Sequence, residues 1–234
     1  GLSQVREHFS FLIPFQETVL KEIGRSGLSK YFIWSGGTAL SFHYLWHRKS
    51  QDLDFFSKDL IPAEYLLTEI RRIAKNLEIQ KIEEQRKFNR HEFWLTKGKK
   101  VLRIEFVFFP FPNIKKPTNL KDFNIKIDSL EDILTNKIHA VFERTEPKDA
   151  FDIYCILQKK KMKIPMALKW TKKKFGAEID PVLWTAKVLE SIEKLTEIKP
   201  LIFKKKSYQY DKIKEYFKKE AQDYLRVKFY RRNY

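Results

Sequence analysis

Residues 31–57, YFIWSGGTALSFHYLWHRKSQDLDFFS, constrain the fold more than any other stretch. Tyr31–Ser35 is apolar and β-favouring, and Gly36–Gly37 ends it in a tight turn. Thr38 reads as the cap of a helix running to about Trp46. Gln51–Ser57 then alternates polar and apolar up to Phe55–Phe56, a strand pattern. Strand, glycine turn, helix and strand in so short a span commit the chain to a sheet with helices against it.

The rest of the chain extends that plan. Residues 7–26 read as a helix with an apolar face, kinked near Pro14. Pro62 opens an amphipathic helix to residue 76. Three strands follow at about 80–87, 91–96 and 101–109, separated by the turn signals NRH and KGKK, with a shorter strand near 124–127. Ser129 with Asp132 makes a capping box for the next helix, and Pro147 starts another. Beyond it the chain is helical, with breaks near Pro165, Gly176, Pro181 and Pro200. The expected class is α+β: a mixed sheet with helices over residues 1–128, then a helical domain over 129–234.

Charge divides the chain unevenly. The formal net charge is +17. Residues 158–234 hold 22 basic and 9 acidic side chains, against 25 and 21 in residues 1–157. A basic half of this kind attracts polyanions, nucleic acid above all, although a Lys-rich surface also serves solubility alone. The stretch SYQYDKIKEYFKKEAQDYLRVKFYRRNY sets Tyr and Phe among Lys and Arg. Stacking plus charge would hold single-stranded RNA or a tRNA end, and an aromatic stripe would equally dock a helix. No apolar run approaches the ~20 residues that span a bilayer, and GLSQVREHFSFLIPFQ lacks the features of a secretory signal. With one cysteine, Cys155, no intramolecular disulfide forms, so a cytoplasmic protein without a membrane partner is expected.

The chemistry concentrates around two aspartates. On a strand, Asp52 and Asp54 project from one face. Paired carboxylates suit a hard divalent ion, Mg²⁺ or alternatively Mn²⁺, that shares its shell with substrate phosphates; two solvated surface acids are the plainer reading. The glycine turn ahead of them supplies backbone N–H groups without a β-carbon in the way, an arrangement suited to a phosphate. Glu105, the lone acid in VLRIEFVFF, is the candidate third carboxylate, for a second ion or for activating a hydroxyl. Lys137 and Arg144 share a helix face and could both reach phosphate oxygens, while Asp149 and Asp152 open the next helix, where acids favour the dipole. His43 and His47 lie four apart on one helix without a third zinc ligand and read as structural. Cys155 has no partner suggesting a nucleophile.

GGTALSFHYLWHRKSQDLDFF and NKIHAVFERTEPKDAFDIYCIL together resemble the two signatures of the AbiEii/AbiGii nucleotidyltransferase toxin family, within the DNA polymerase β-like nucleotidyltransferase superfamily. The resemblance covers residues 31–158. It implies a nucleotidyltransferase-fold sheet, a nucleoside triphosphate substrate and Mg²⁺ held by Asp52 and Asp54. Ser35, Gly36, Gly37, Thr38, Arg48 and Ser50 would form the nucleotide-binding loop. Lys137 would contact the phosphates, and Asp149 or Asp152 would complete the site. Lys148 stands where the family usually has Arg, which keeps the charge and loses the bidentate fork. The implied activity is nucleotidyl transfer to an acceptor, most simply tRNA, by the toxin of a toxin–antitoxin or phage-exclusion system, with an antitoxin protein as partner. A non-catalytic nucleotide- or RNA-binding relative, or transfer to a protein or small molecule, is the alternative.

Overall fold

Pro14 opens the first helix and does not kink it: α1 runs Pro14–Arg25 with the proline at its first position, where a fixed φ and a missing N–H cost nothing. Residues 7–11 of the longer expected helix lie outside the residues described by this computed structural model, 12–203 and 208–232. The chain divides into two compact units, Gly1–Pro112 with Lys116–Ser129, and Asn113–Lys115 with Leu130–Tyr234.

The first unit is built on a seven-stranded mixed sheet. Its strands are β1 (Ile33–Ser35), β2 (Leu53–Ser57), β3 (Lys81–Lys87), β4 (Arg90–Lys97), β5 (Lys100–Phe108), β6 (Thr118–Leu120) and β7 (Ile125–Ile127), in the order β3-β4-β5-β2-β1-β7-β6. β1 pairs antiparallel with β2 and parallel with β7, and β2 pairs parallel with β5. The β3–β4–β5 meander is antiparallel throughout. The expected mixed sheet is present; β6 is an addition, too short and polar to carry a strand signal.

One face of the sheet is apolar. Trp34, Leu53, Phe55, Phe93, Leu95 and Ile104 are buried, and Phe106 anchors an aromatic cluster with Phe32, Phe55 and Phe93. α1 and α3 (Ala63–Asn76) add Leu20, Ile23 and Ile70 to the buried core. The ladder registers set a polar row on alternate residues. Ser35 lies opposite Asp54, Asp54 beside Glu105, and Glu105 opposite Glu92. Residues directly paired in a ladder share a face, so four strands bring these side chains together.

Two local readings are corrected between β1 and β2. The helix begins at Gly36 as α2 (Gly36–Ala39) and continues in π-helical form through Leu45, so Thr38 lies inside it and is not its cap. The π-helical turn ends at Trp46 in the left-handed region (φ 52°), which takes His47 off the helix that would have aligned it with His43.

The second unit is helical: α4 (Leu130–Glu143), α5 (Pro147–Lys160), α6 (Ile164–Phe175), α7 (Pro181–Glu193) and α8 (Tyr210–Arg232). Pro165 and Pro181 sit in first turns, and Gly176 terminates α6 with positive φ. Trp184, Phe151 and Phe217 are fully buried, and the Trp184 indole donates to the Ile138 carbonyl at 3.1 Å. The Asp132 carboxylate explains why residues 113–115 travel with this unit. It accepts from the Ile114 and Lys115 backbone N–H groups at 2.8 and 3.0 Å and from Lys174 at 2.8 Å.

Candidate active site

Gly36 follows β1 with φ +78°, a conformation that side chains resist. Space makes the same demand. A β-carbon at Gly36 would come within 2.2 Å of Asp54 Oδ2, and one at Gly37 within 2.5 Å of the Arg48 guanidinium and 3.1 Å of Ser50 Oγ. The glycines therefore let the turn backbone close on the aspartate and on the Arg48–Ser50 loop. Beside them, the Ser35 hydroxyl is buried and has no hydrogen-bond partner among the described residues, an uncommon state for a buried polar group.

The loop before β2 is pinned from two sides. The Thr38 hydroxyl lies 2.8 Å from Ser50 Oγ and reaches the Asp52 carbonyl. From α1, the Gln16 side-chain amide donates to the Ser50 and Gln51 carbonyls at 3.0 and 2.7 Å. Buried Arg48 donates to the Lys49 carbonyl. These bonds fix Asp52 immediately ahead of the strand that carries Asp54.

Glu105 stands beside Asp54 in the parallel β2–β5 ladder. Both its oxygens face guanidinium groups: Arg90 on Oε1, and Arg103 on Oε2 at 2.9 Å. Arg103 also donates to Asp52 Oδ2 at 3.1 Å and to Glu92 Oε1 at 2.9 Å. Burial works against the Arg103 charge, but Glu105, Asp52 and Glu92 more than restore it and hold its pKa above the ordinary value. Burial likewise raises Glu92, and the bonds from Lys87 and Arg103 reverse the effect and keep it ionised. Sequence reasoning missed Arg103, Glu92 and Gln16. Arg103 carried a signal: two residues before Glu105 on a β-prone run, it had to share that acid's face.

Lys137, Arg144, Asp149 and Asp152 are gathered within the helical unit. Lys137 Nζ lies 3.0 Å from Asp149 Oδ1 and 2.8 Å from Asp152 Oδ2. Arg144, just past α4, donates to both Asp149 oxygens at 2.7 and 3.1 Å. Burial would raise the Asp149 pKa, but Lys137 and Arg144 bring it below the usual carboxylate range.

Asp52 and Asp54 offer the hard oxygen donors a divalent ion requires, and the Asp52 side chain is 47% exposed. Glu105 differs from the expected third ligand in having both oxygens engaged by arginines. Among the described residues, no three His, Cys, Asp or Glu side chains converge as a group able to hold a metal.

The model of the nucleotidyl transferase AbiEii toxin family, of type IV toxin–antitoxin systems, matches residues 18–227. The chain belongs to this family. It is therefore a nucleotidyltransferase, and both the glycine turn and the Lys137–Asp149–Asp152 cluster lie within the matched span. Among curated proteins, this chain is similar to the uncharacterised protein aq_aa25 of Aquifex aeolicus, 25% identical over 217 residues that cover 90% of this chain and 96% of the relative. Its fold matches two Helicobacter pylori crystal structures. One is of a candidate nucleotidyltransferase (17% identity, TM-score 0.56, 90% of this chain and 93% of the other). The second is of JHP933 (16%, 0.54, 92% of each). No helix among the described residues is long and apolar enough to cross a membrane.

Proposed function

We propose that this toxin-family enzyme transfers a nucleoside monophosphate from a nucleoside triphosphate to RNA, with tRNA as the acceptor, in a divalent-ion-dependent reaction. One observation carries the reading: the glycine turn after β1 closes on the Asp54 carboxylate, with the unpartnered Ser35 hydroxyl opposite Asp54 in the ladder. That arrangement supports reading the turn's N–H groups as anion donors and Asp54 as a metal ligand beside them.

Gly36 and Gly37 offer the triphosphate backbone N–H groups at close approach, Ser35 adds a hydroxyl donor, and Arg48 adds charge behind the turn. Thr38, Ser50 and Gln16 keep that loop in register with Asp52. Asp52 and Asp54 would hold Mg²⁺, or Mn²⁺ in its place, which supplies positive charge to the phosphate oxygens and the departing pyrophosphate. In the transfer, the acceptor hydroxyl oxygen bonds the α-phosphorus as the bond to the bridging pyrophosphate oxygen breaks, and the hydroxyl proton is lost to solvent.

The basic residues of the helical unit supply the RNA-attracting charge. Phe217 is fully buried against Trp184 and so offers no stacking surface, and Tyr216 packs edge-on against Tyr154; among the described residues of α8, exposed Tyr230 is the candidate for base stacking. A cytoplasmic location and an antitoxin partner follow from the same reading.

Equilibrium binding of a fluorescent ATP or GTP analogue tests the site. Binding should require Mg²⁺ or Mn²⁺ and weaken about tenfold in Ser35→Ala, the size of one lost hydrogen bond to a charged group. Ion-independent binding, unaffected by Ser35→Ala and by Asp54→Asn, contradicts the reading.

A further inference from the structure

Arg103 is bonded to three carboxylates of different accessibility. The Asp52 side chain is 47% exposed, while Glu92 and Glu105 are only 3% and 5% exposed. Ion pairs open to solvent contribute little, whereas a buried carboxylate stripped of part of its compensation is costly. Glu92 and Glu105 would each keep one cation, Lys87 and Arg90, but both are buried, so the guanidinium releases half-exposed Asp52 more readily than either. Glu92 lies one strand beyond Glu105 and, with one oxygen already on Lys87 and Arg103, gives Arg103 a second anchor away from Asp52.

We propose that Arg103 is the resident counter-cation of the active site, neutralising Asp52 in the ion-free enzyme and retreating onto Glu92 and Glu105 when a divalent ion takes that carboxylate. The inference rests on the reading of Asp52 and Asp54 as the metal ligands. Arg103 acts through those ligands and is a positioning residue. It keeps a cluster of acids from standing uncompensated, and it tunes the ion affinity, since an ion that takes Asp52 Oδ2 competes with the guanidinium bonded there.

Mn²⁺ binding to the full chain without nucleotide, followed by the electron paramagnetic resonance signal of the unbound ion, tests this. Arg103→Met should bind Mn²⁺ about tenfold more tightly than wild type, the effect of removing one unit charge several ångströms from a divalent ion under water-like screening. Arg103→Lys, which keeps the charge, should stay near the wild-type affinity. Glu92→Gln, which removes the second anchor, should bind more weakly, and it carries the test in the opposite direction if Arg103→Met does not fold. Equal or weaker binding by a folded Arg103→Met, or unchanged affinity in Glu92→Gln, overturns the inference. If wild-type binding also proves indifferent to Asp52→Asn with Asp54→Asn, the metal reading falls with it; if those substitutions abolish binding, only the role of Arg103 is lost.

Discussion

Asp54 Oδ2 lies so close to the backbone of Gly36 that a β-carbon there would come within 2.2 Å of it. Loop and carboxylate are thus one structural unit. Gly36→Ala must either push Asp54 off its position or open the turn, and it adds a left-handed alanine. The fold should lose about 1–3 kcal/mol, visible in denaturant melts. Transfer should fall about 100-fold, as misplacement of reacting groups by an ångström does.

Thr38 ties the helix to the loop carrying Ser50 and Asp52. Thr38→Val keeps the shape and removes the hydroxyl that reaches Ser50 and the Asp52 carbonyl. A loss of about 1–2 kcal/mol is expected, and Thr38→Ser should recover most of it in the same unfolding measurement.

In the helical unit, Lys137 is buried between Asp149 and Asp152. Lys137→Met leaves two buried carboxylates short of a cation and should cost about 3–5 kcal/mol. Arg144, whose side chain is 53% exposed, should matter much less for stability. Urea denaturation of the two variants checks the ranking.

Acid should weaken the same unit. Burial tends to raise the Glu131 pKa, but bonds from Lys115 and Lys160 outweigh it and lower the value from 4.5 to about 2; Asp149 is depressed as well. A carboxyl depressed on folding contributes stability above its unfolded pKa and loses that contribution as pH falls through the folded one. Melting temperature should therefore decline as pH drops from about 4.5 toward about 2, and Glu131→Gln should flatten that decline.

Local chemistry made part of this legible in the sequence. The β1–glycine–helix–β2 passage announced itself because a β-prone run, two glycines and an alternating strand each follow short-range rules, and Glu105 stood out as a lone acid in an apolar strand. The ladder delivered what the sequence only suggested, setting Asp54 beside Glu105 through a parallel pairing made across the fold. Hidden from the sequence were features decided by tertiary contacts. The π-helical turn at Leu40–Leu45 and the left-handed Trp46 have no turn residue to mark them. Thr38 looks like a cap, but its hydroxyl reaches across to Ser50 and the Asp52 carbonyl. Arg103 and Glu92 join the site only through strand register, and Gln16 only through the packing of α1. Lys137, Arg144, Asp149 and Asp152 read as phosphate ligands or surface pairs; within their own unit they form a mostly buried ion cluster.

Incubating the enzyme with Mg²⁺, each α-labelled nucleoside triphosphate and total bacterial RNA, beside Asp52→Ala with Asp54→Ala, asks whether the glycine turn and Asp52–Asp54 perform nucleotidyl transfer. Label should enter tRNA-sized RNA with the wild type and not with the folded double variant. Label from both proteins alike, or from neither with any triphosphate, would mean that these residues do not carry the transfer.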